Sequence, residues 1–195
     1  MKLFKKLFSV ITISFLICMV ISSPAYAKSK GSKTSLPEGT ITAGQYLVGS
    51  DIPAGEYLLT KTGSSIMGYY EVDSDATGAF TSIVTNDNFT ARAYISVSAG
   101  EYLTLKYCTG IASVSAAAFD ASSGYPAGEY LVGKDIATGT YKVTPTGDAL
   151  FGYYCVSSDS TGALTSIVTN DNIQGPSYVT VSDGQYLKIS YAVIN

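Results

Sequence analysis

From residue 41 onward, apolar residues recur at every second position in short runs, and none recur at the 3.6-residue period of a helix. Tyr46-Leu47-Val48 is an apolar run closed by Gly49-Ser50-Asp51, and Ile52-Pro53-Ala54-Gly55 is a turn. Glu56 through Thr60 reads as a second strand, with a turn from Lys61 to Ser65. Gly68 through Ser74 alternates, with Tyr70 and Val72 on one side and Tyr69, Glu71 and Asp73 on the other. After the turn Asp75-Ala76-Thr77-Gly78 comes a strand from Phe80 to Thr85, ended by the break Asn86-Asp87-Asn88. Tyr94 to Val97 is the fifth strand. Glu101 to Tyr107 is the sixth, with Leu103, Leu105 and Tyr107 on one face. Short strands spaced this closely by turns predict an antiparallel sandwich or barrel.

The whole pattern then occurs again. Thr81 through Asn88 returns letter for letter as Thr165 through Asn172, an offset of 165 − 81 = 84. The same offset carries Ala43-Gly44 onto Ala127-Gly128 and Tyr107 onto Tyr191 without a gap, with more than half of the aligned positions identical. The expected fold is all-β: two tandem homologous antiparallel β-sandwich or barrel domains, residues 41–108 and 125–195. Residues 109–124, rich in Ala and Ser, join them as a linker.

Residues 1–27 have a different character. Lys2, Lys5 and Lys6 precede an apolar run from Leu7 through Val20, then Ala25-Tyr26-Ala27. A basic start, an apolar core and a small-x-small site form a secretory signal peptide, cleaved after Ala27. Residues 28–40, polar with Gly, Ser and Pro, read as a flexible linker. The expected location is secreted or extracellular, with a cell-surface position open, and contact with membrane only through the signal peptide during export.

Composition narrows the function. Removal of residues 1–27 leaves 12 − 3 = 9 basic against 15 acidic residues. A net acidic chain without a basic cluster lacks the phosphate-neutralising charge that nucleic-acid binding requires. There is no His, so Ser-His-Asp and Cys-His catalysis cannot be built, and the commonest zinc ligand is missing. The candidate acids Glu56, Glu71 and Glu101 are replaced by Thr140, Cys155 and Gln185 in the second copy. No enzyme, no cofactor and no metal are expected. Asp73 to Gly78 does place oxygen groups at alternate positions, as a calcium loop does. However, no Glu closes the loop, and Ser157 replaces Asp73 in the second copy, which favours an ordinary hairpin turn.

The binding candidates occur in both copies. In each pair Tyr69-Tyr70 and Tyr153-Tyr154 one ring points inward, and Tyr69 and Tyr153 face out. An outward tyrosine on a rigid sheet stacks on a sugar ring and offers a hydroxyl, or else covers a neighbouring strand. Asn86, Asp87 and Asn88, with Asn170, Asp171 and Asn172, form either a polar binding loop or a backbone-tying turn. Cys108 and Cys155 are an even pair in an exported chain. Both read as facing outward, one per lobe, and are candidates for a disulfide joining the lobes, with two free thiols as the alternative.

Gly49-Ser50-Asp51-Ile52-Pro53-Ala54-Gly55-Glu56-Tyr57 and Ala99-Gly100-Glu101-Tyr102-Leu103 resemble a repeat of secreted and surface proteins of Gram-positive bacteria. In the second copy the closing phrase is Asp183-Gly184-Gln185-Tyr186-Leu187, while Ala137-Thr138 departs from the Pro-Ala of the opening turn. The resemblance implies a small β module and supplies no catalytic residue. Export, duplication and the tyrosine pairs together suggest a non-catalytic binding module for a glycan or cell-wall polymer. The alternative is a structural or protein-interaction module with a protein partner.

Overall fold

The computed structural model describes residues 38–147 and 150–194. The signal peptide and, but for residues 38–40, the linker read from the sequence lie outside the described residues. The first lobe has seven strands: β1 (Gly44–Leu47), β2 (Gly55–Lys61), β3 (Gly68–Asp73), β4 (Ile83–Phe89), β5 (Arg92–Val97), β6 (Tyr102–Lys106) and β7 (Cys108–Ala112). The second repeats them as β8 (Gly128–Leu131), β9 (Gly139–Pro145), β10 (Gly152–Ser157), β11 (Ile167–Ile173), β12 (Ser177–Val181), β13 (Tyr186–Ser190) and β14 (Ala192–Ile194). Each lobe is a sandwich of two antiparallel sheets. They are ordered β1-β6-β3-β4 and β5-β2-β7 in the first lobe, and β8-β13-β10-β11 and β12-β9-β14 in the second.

The period-two pattern fills each core. Tyr70, Val72, Leu103 and Leu105 from the four-stranded sheet meet Tyr57, Leu59, Ile95 and Val97 from the three-stranded one. Their counterparts Tyr154, Val156, Leu187 and Ile189 meet Val143, Val179 and Val181.

Three expectations are corrected here. Asn86-Asp87-Asn88 and Asn170-Asp171-Asn172 are neither loops nor turns: they lie inside β4 and β11, paired with β3 and β10. Edge strands tolerate them because one side of the ladder faces away from the sheet. The strand expected from Phe80 instead opens with a 3₁₀ turn, Phe80–Ser82. The third concerns Tyr107, which was expected to share a face with Leu103 and Leu105. It has φ 57°, its counterpart Tyr191 has φ 50°, and the two are 60% and 57% exposed. This single left-handed residue turns the chain from one sheet into the other, so Cys108 points into the core and starts a seventh strand. The stretch read as the start of the interlobe linker is therefore strand as far as Ala112.

One local device accounts for four of the tyrosines. In Ala43-Gly44-Gln45-Tyr46 and its three analogues, the Tyr hydroxyl donates to the carbonyl four residues back: Tyr46 to Thr42, Tyr57 to Pro53, Tyr130 to Pro126 and Tyr141 to Ala137. The Gly between, at φ 145–158°, lets the chain bend under the ring.

Candidate functional site

The two lobes meet through non-equivalent faces. The first lobe offers the outer face of β2 and β5, and the second the outer face of β8 and β13. Leu58, Tyr94 and Tyr186 form a third apolar cluster there, with Leu131, Ile111 and Ala116 packed against it. The Tyr94 and Tyr186 rings meet edge-on, 5.5 Å apart.

Polar groups surround that cluster. Arg92 and Asp135 form a buried ion pair at 2.6 Å, and the same carboxylate accepts from the Tyr94 hydroxyl and from the Leu131 and Phe119 amides. The Arg92 guanidinium lies 5.0–5.6 Å from the ring centres of Phe119, Tyr130 and Tyr94. The Tyr94 amide donates to Glu129 at 2.7 Å and the Ser96 amide to the Ser160 carbonyl at 2.9 Å. The edge strand β5 is thus capped by the other lobe. Glu56 accepts from Ser160 and Tyr186, and Lys188 pairs with Asp87.

A cleft of about 170 Å³ opens beside this seam. Tyr70, Thr85, Asn86 and Asp87 line it from the first lobe, and Glu129, Tyr153, Cys155, Asp159, Ser160 and Lys188 from the second. Burial raises the Glu129 carboxyl to about 7, and the charge of Lys188 restrains it only in part. Burial alone would lower the Lys188 ammonium, but Asp87 and Glu129 outweigh it and hold the ammonium above its usual range. The Tyr153 phenol is raised well above its usual value by burial and by Cys155, with Asn170 pulling back through a hydrogen bond. Asp159 is lowered because Thr161 and Ser166 donate to it. At neutral pH the cleft therefore presents a carboxylate–ammonium pair, a half-titrated acid and a neutral phenol. That set can hold hydroxyl groups in both senses.

The structure brings Tyr153, Asn86, Asp87 and Cys155 together in this cleft and leaves the other candidates out of its lining. Tyr69 lies opposite Asn88 on the outer face of the first lobe, its hydroxyl on Glu71 and the Lys106 ammonium over its ring. Asn172 and Asn170 stand opposite Tyr153 and Cys155, and Asp171 is exposed opposite Tyr154. Cys108 and Cys155 are free, buried thiols in separate settings. Cys108 donates to the Tyr69 carbonyl within the first core, and Cys155 lines the cleft near Ser157. The outward position that the disulfide reading gave Cys108 does not exist, because Tyr107 reverses the alternation.

Glu129, Lys188, Ser160 and Arg92 were not singled out from the sequence, and Glu56 was considered only as a candidate acid. Their signal was divergence between the copies: their counterparts are Gln45, Thr104, Ala76, Pro176 and Thr140. A seam joining two unlike faces needs residues that only one copy carries.

Among the described residues no helix is long and apolar enough to cross a membrane. No curated protein and no solved structure matches the chain. Residues 121–187, from the approach to β8 into β13, match the model of the Rv1352-like extracellular domain family; this chain is, like that domain, extracellular.

Proposed function

We propose that this chain is a non-catalytic extracellular binding module whose interlobe cleft takes one unit of a glycan or cell-wall polymer. The observation that carries the reading is the cleft itself, where Tyr153, Glu129 and the Asp87–Lys188 pair converge from two lobes. Sugars are held by such paired donors and acceptors beside an aromatic ring. The carboxylates already have partners: Asp87 has Lys188, Glu129 the Tyr94 amide, and Asp159 Thr161 and Ser166. That arrangement suits recognition better than bond cleavage, which wants one carboxyl poised as acid and another free to attack.

The test is co-sedimentation of the secreted chain with purified cell walls and insoluble polysaccharides. Binding that is lost in Tyr153→Ala and kept in Tyr69→Ala, with both variants melting near the parent, locates the site. The supernatant is expected to contain no new reducing ends. Failure of the chain to sediment with any polymer overturns the reading.

A protein-interaction role is the second reading. Its support is a set of exposed apolar side chains that occur in both lobes: Ile66 with Leu150, Phe80 with Leu164, and Val84 with Val168.

A further inference from the structure

The seam within the chain joins unlike surfaces, so each lobe keeps one of the two faces unused. The first lobe uses the outer face of β2 and β5, and among the described residues nothing covers the outer face of β1, β6 and β3. The second uses the outer face of β8, β13 and β10, and among the described residues nothing covers the outer face of β9 and β12. We infer that copies of this chain stack head to tail. In that stack the β9–β12 face of one copy seats on the β1–β6–β3 face of the next and repeats the internal seam.

The equivalent residues carry the inference. Tyr94, at the centre of the seam, is 1% exposed, whereas its counterpart Tyr178 is 68% exposed on the edge strand β12. Tyr94 meets Tyr186, Leu131, Asp135 and Glu129 in the seam. On the free face of the first lobe these become Tyr102, Leu47, Asp51 and Gln45, at the same places in the same sheet. Tyr178 can thus pack on Tyr102 and Leu47, donate its hydroxyl to Asp51, and give its edge amide to the Gln45 side-chain oxygen. Asp51 is held ready, as Asp135 is, by an amide four residues back: Leu47 donates to it at 2.8 Å.

Charge supports the same pairing. Arg92, Glu56, Glu129 and Lys188 become Pro176, Thr140, Gln45 and Thr104, while Asp135 stays as Asp51 and the seam's Leu58 becomes Lys142, opposite Tyr178 on β9. The β9–β12 face therefore offers Lys142, in place of the lost arginine, as the cation for the Asp51 that the other face retains. The internal seam carries a different set of charges from the two free faces, which fixes which face meets which. An unlike-face contact that does not close generates rings or open filaments.

The experiment is sedimentation velocity of the secreted chain across a wide concentration range, without polymer. The parent is expected to form dimers and longer species as concentration rises. Tyr178→Lys, which blocks one face, and Gln45→Lys, which blocks the other, are each expected to be monomers that melt near the parent. Mixed together they are expected to give a 1:1 dimer and nothing longer, because each retains the face its partner needs. Tyr153→Ala, in the glycan cleft, is expected to associate as the parent does, so this outcome is independent of ligand binding. A parent that stays monomeric at millimolar concentration overturns the inference, as does association unaffected by Tyr178→Lys, or a mixture that stays monomeric.

Discussion

Two glycines at the same place in the two lobes show how far a residue's role depends on its neighbour. Gly78 and Gly162 both end the Thr-Gly turn before the 3₁₀ segment, at φ 67° and 75°. A Cβ on Gly78 would meet nothing within 4 Å, while one on Gly162 would lie 2.3 Å from the Thr85 hydroxyl of the other lobe. Gly78→Ala should therefore cost only the strain of a left-handed residue, about 1 kcal/mol. Gly162→Ala should cost roughly 1–3 kcal/mol more, from overpacking against a short, stiff side chain. Urea unfolding of the two variants measures this. Equal midpoints would mean that the turn carrying Gly162 does not press on the first lobe.

At the scale of elements the decisive feature is the corner between the sixth and seventh strands of each lobe. Tyr107 and Tyr191 hold a conformation natural to glycine, and their carbonyls accept from Thr62 and Thr146 at 2.8 and 2.9 Å. Since each ring is more than half exposed, Tyr107→Gly removes strain and little packing. It is expected to raise stability by about 1 kcal/mol. Tyr107→Val should lower it by more, a β-branched side chain being the poorest fit at positive φ. A midpoint for Tyr107→Gly below the parent's would show that the ring stabilises more than the strain costs. The sandwich was legible in the sequence because Tyr70, Val72, Leu103 and Leu105 alternate cleanly. The seventh strand was not, since one left-handed tyrosine shifts the alternation and leaves no turn residue to mark the shift. For the same reason Cys108 was read on the wrong face. Asn86 to Asn88 misled differently: Asn and Asp signal turns by propensity, and here the pairing of β4 along β3 overrides that preference.

For the molecule as a whole, the seam makes two small sandwiches interdependent, and a buried acid ties that dependence to pH. Glu129 has an ordinary value of 4.5 and is raised to about 7 by burial between the lobes. Tyr94, Lys188, Asp87 and Glu56 all face it: the first donates an amide, the second attracts the charge, and the last two repel it. A raised acid binds its proton more tightly folded than unfolded. Its contribution is therefore complete below about pH 4.5 and is lost as pH rises through about 7. That rise in the Glu129 value corresponds to something on the order of 3 kcal/mol. Spread over a chain of this size, that is a fall in melting temperature of roughly 6–12 °C. The lowered carboxyl of Asp159 acts in the opposite sense. Its contribution is lost as pH falls below its ordinary 3.8, outside the range in which Glu129 titrates, while Asp73, raised by burial and by Glu71, acts in the same sense as Glu129. Glu129→Gln keeps an oxygen for the Tyr94 amide and removes the titration. Its melting temperature should fall less across that range than the parent's does. Parallel curves for the two proteins would show that Glu129 ionises in the folded chain as easily as in water, and that the seam is wet where the structure makes it dry.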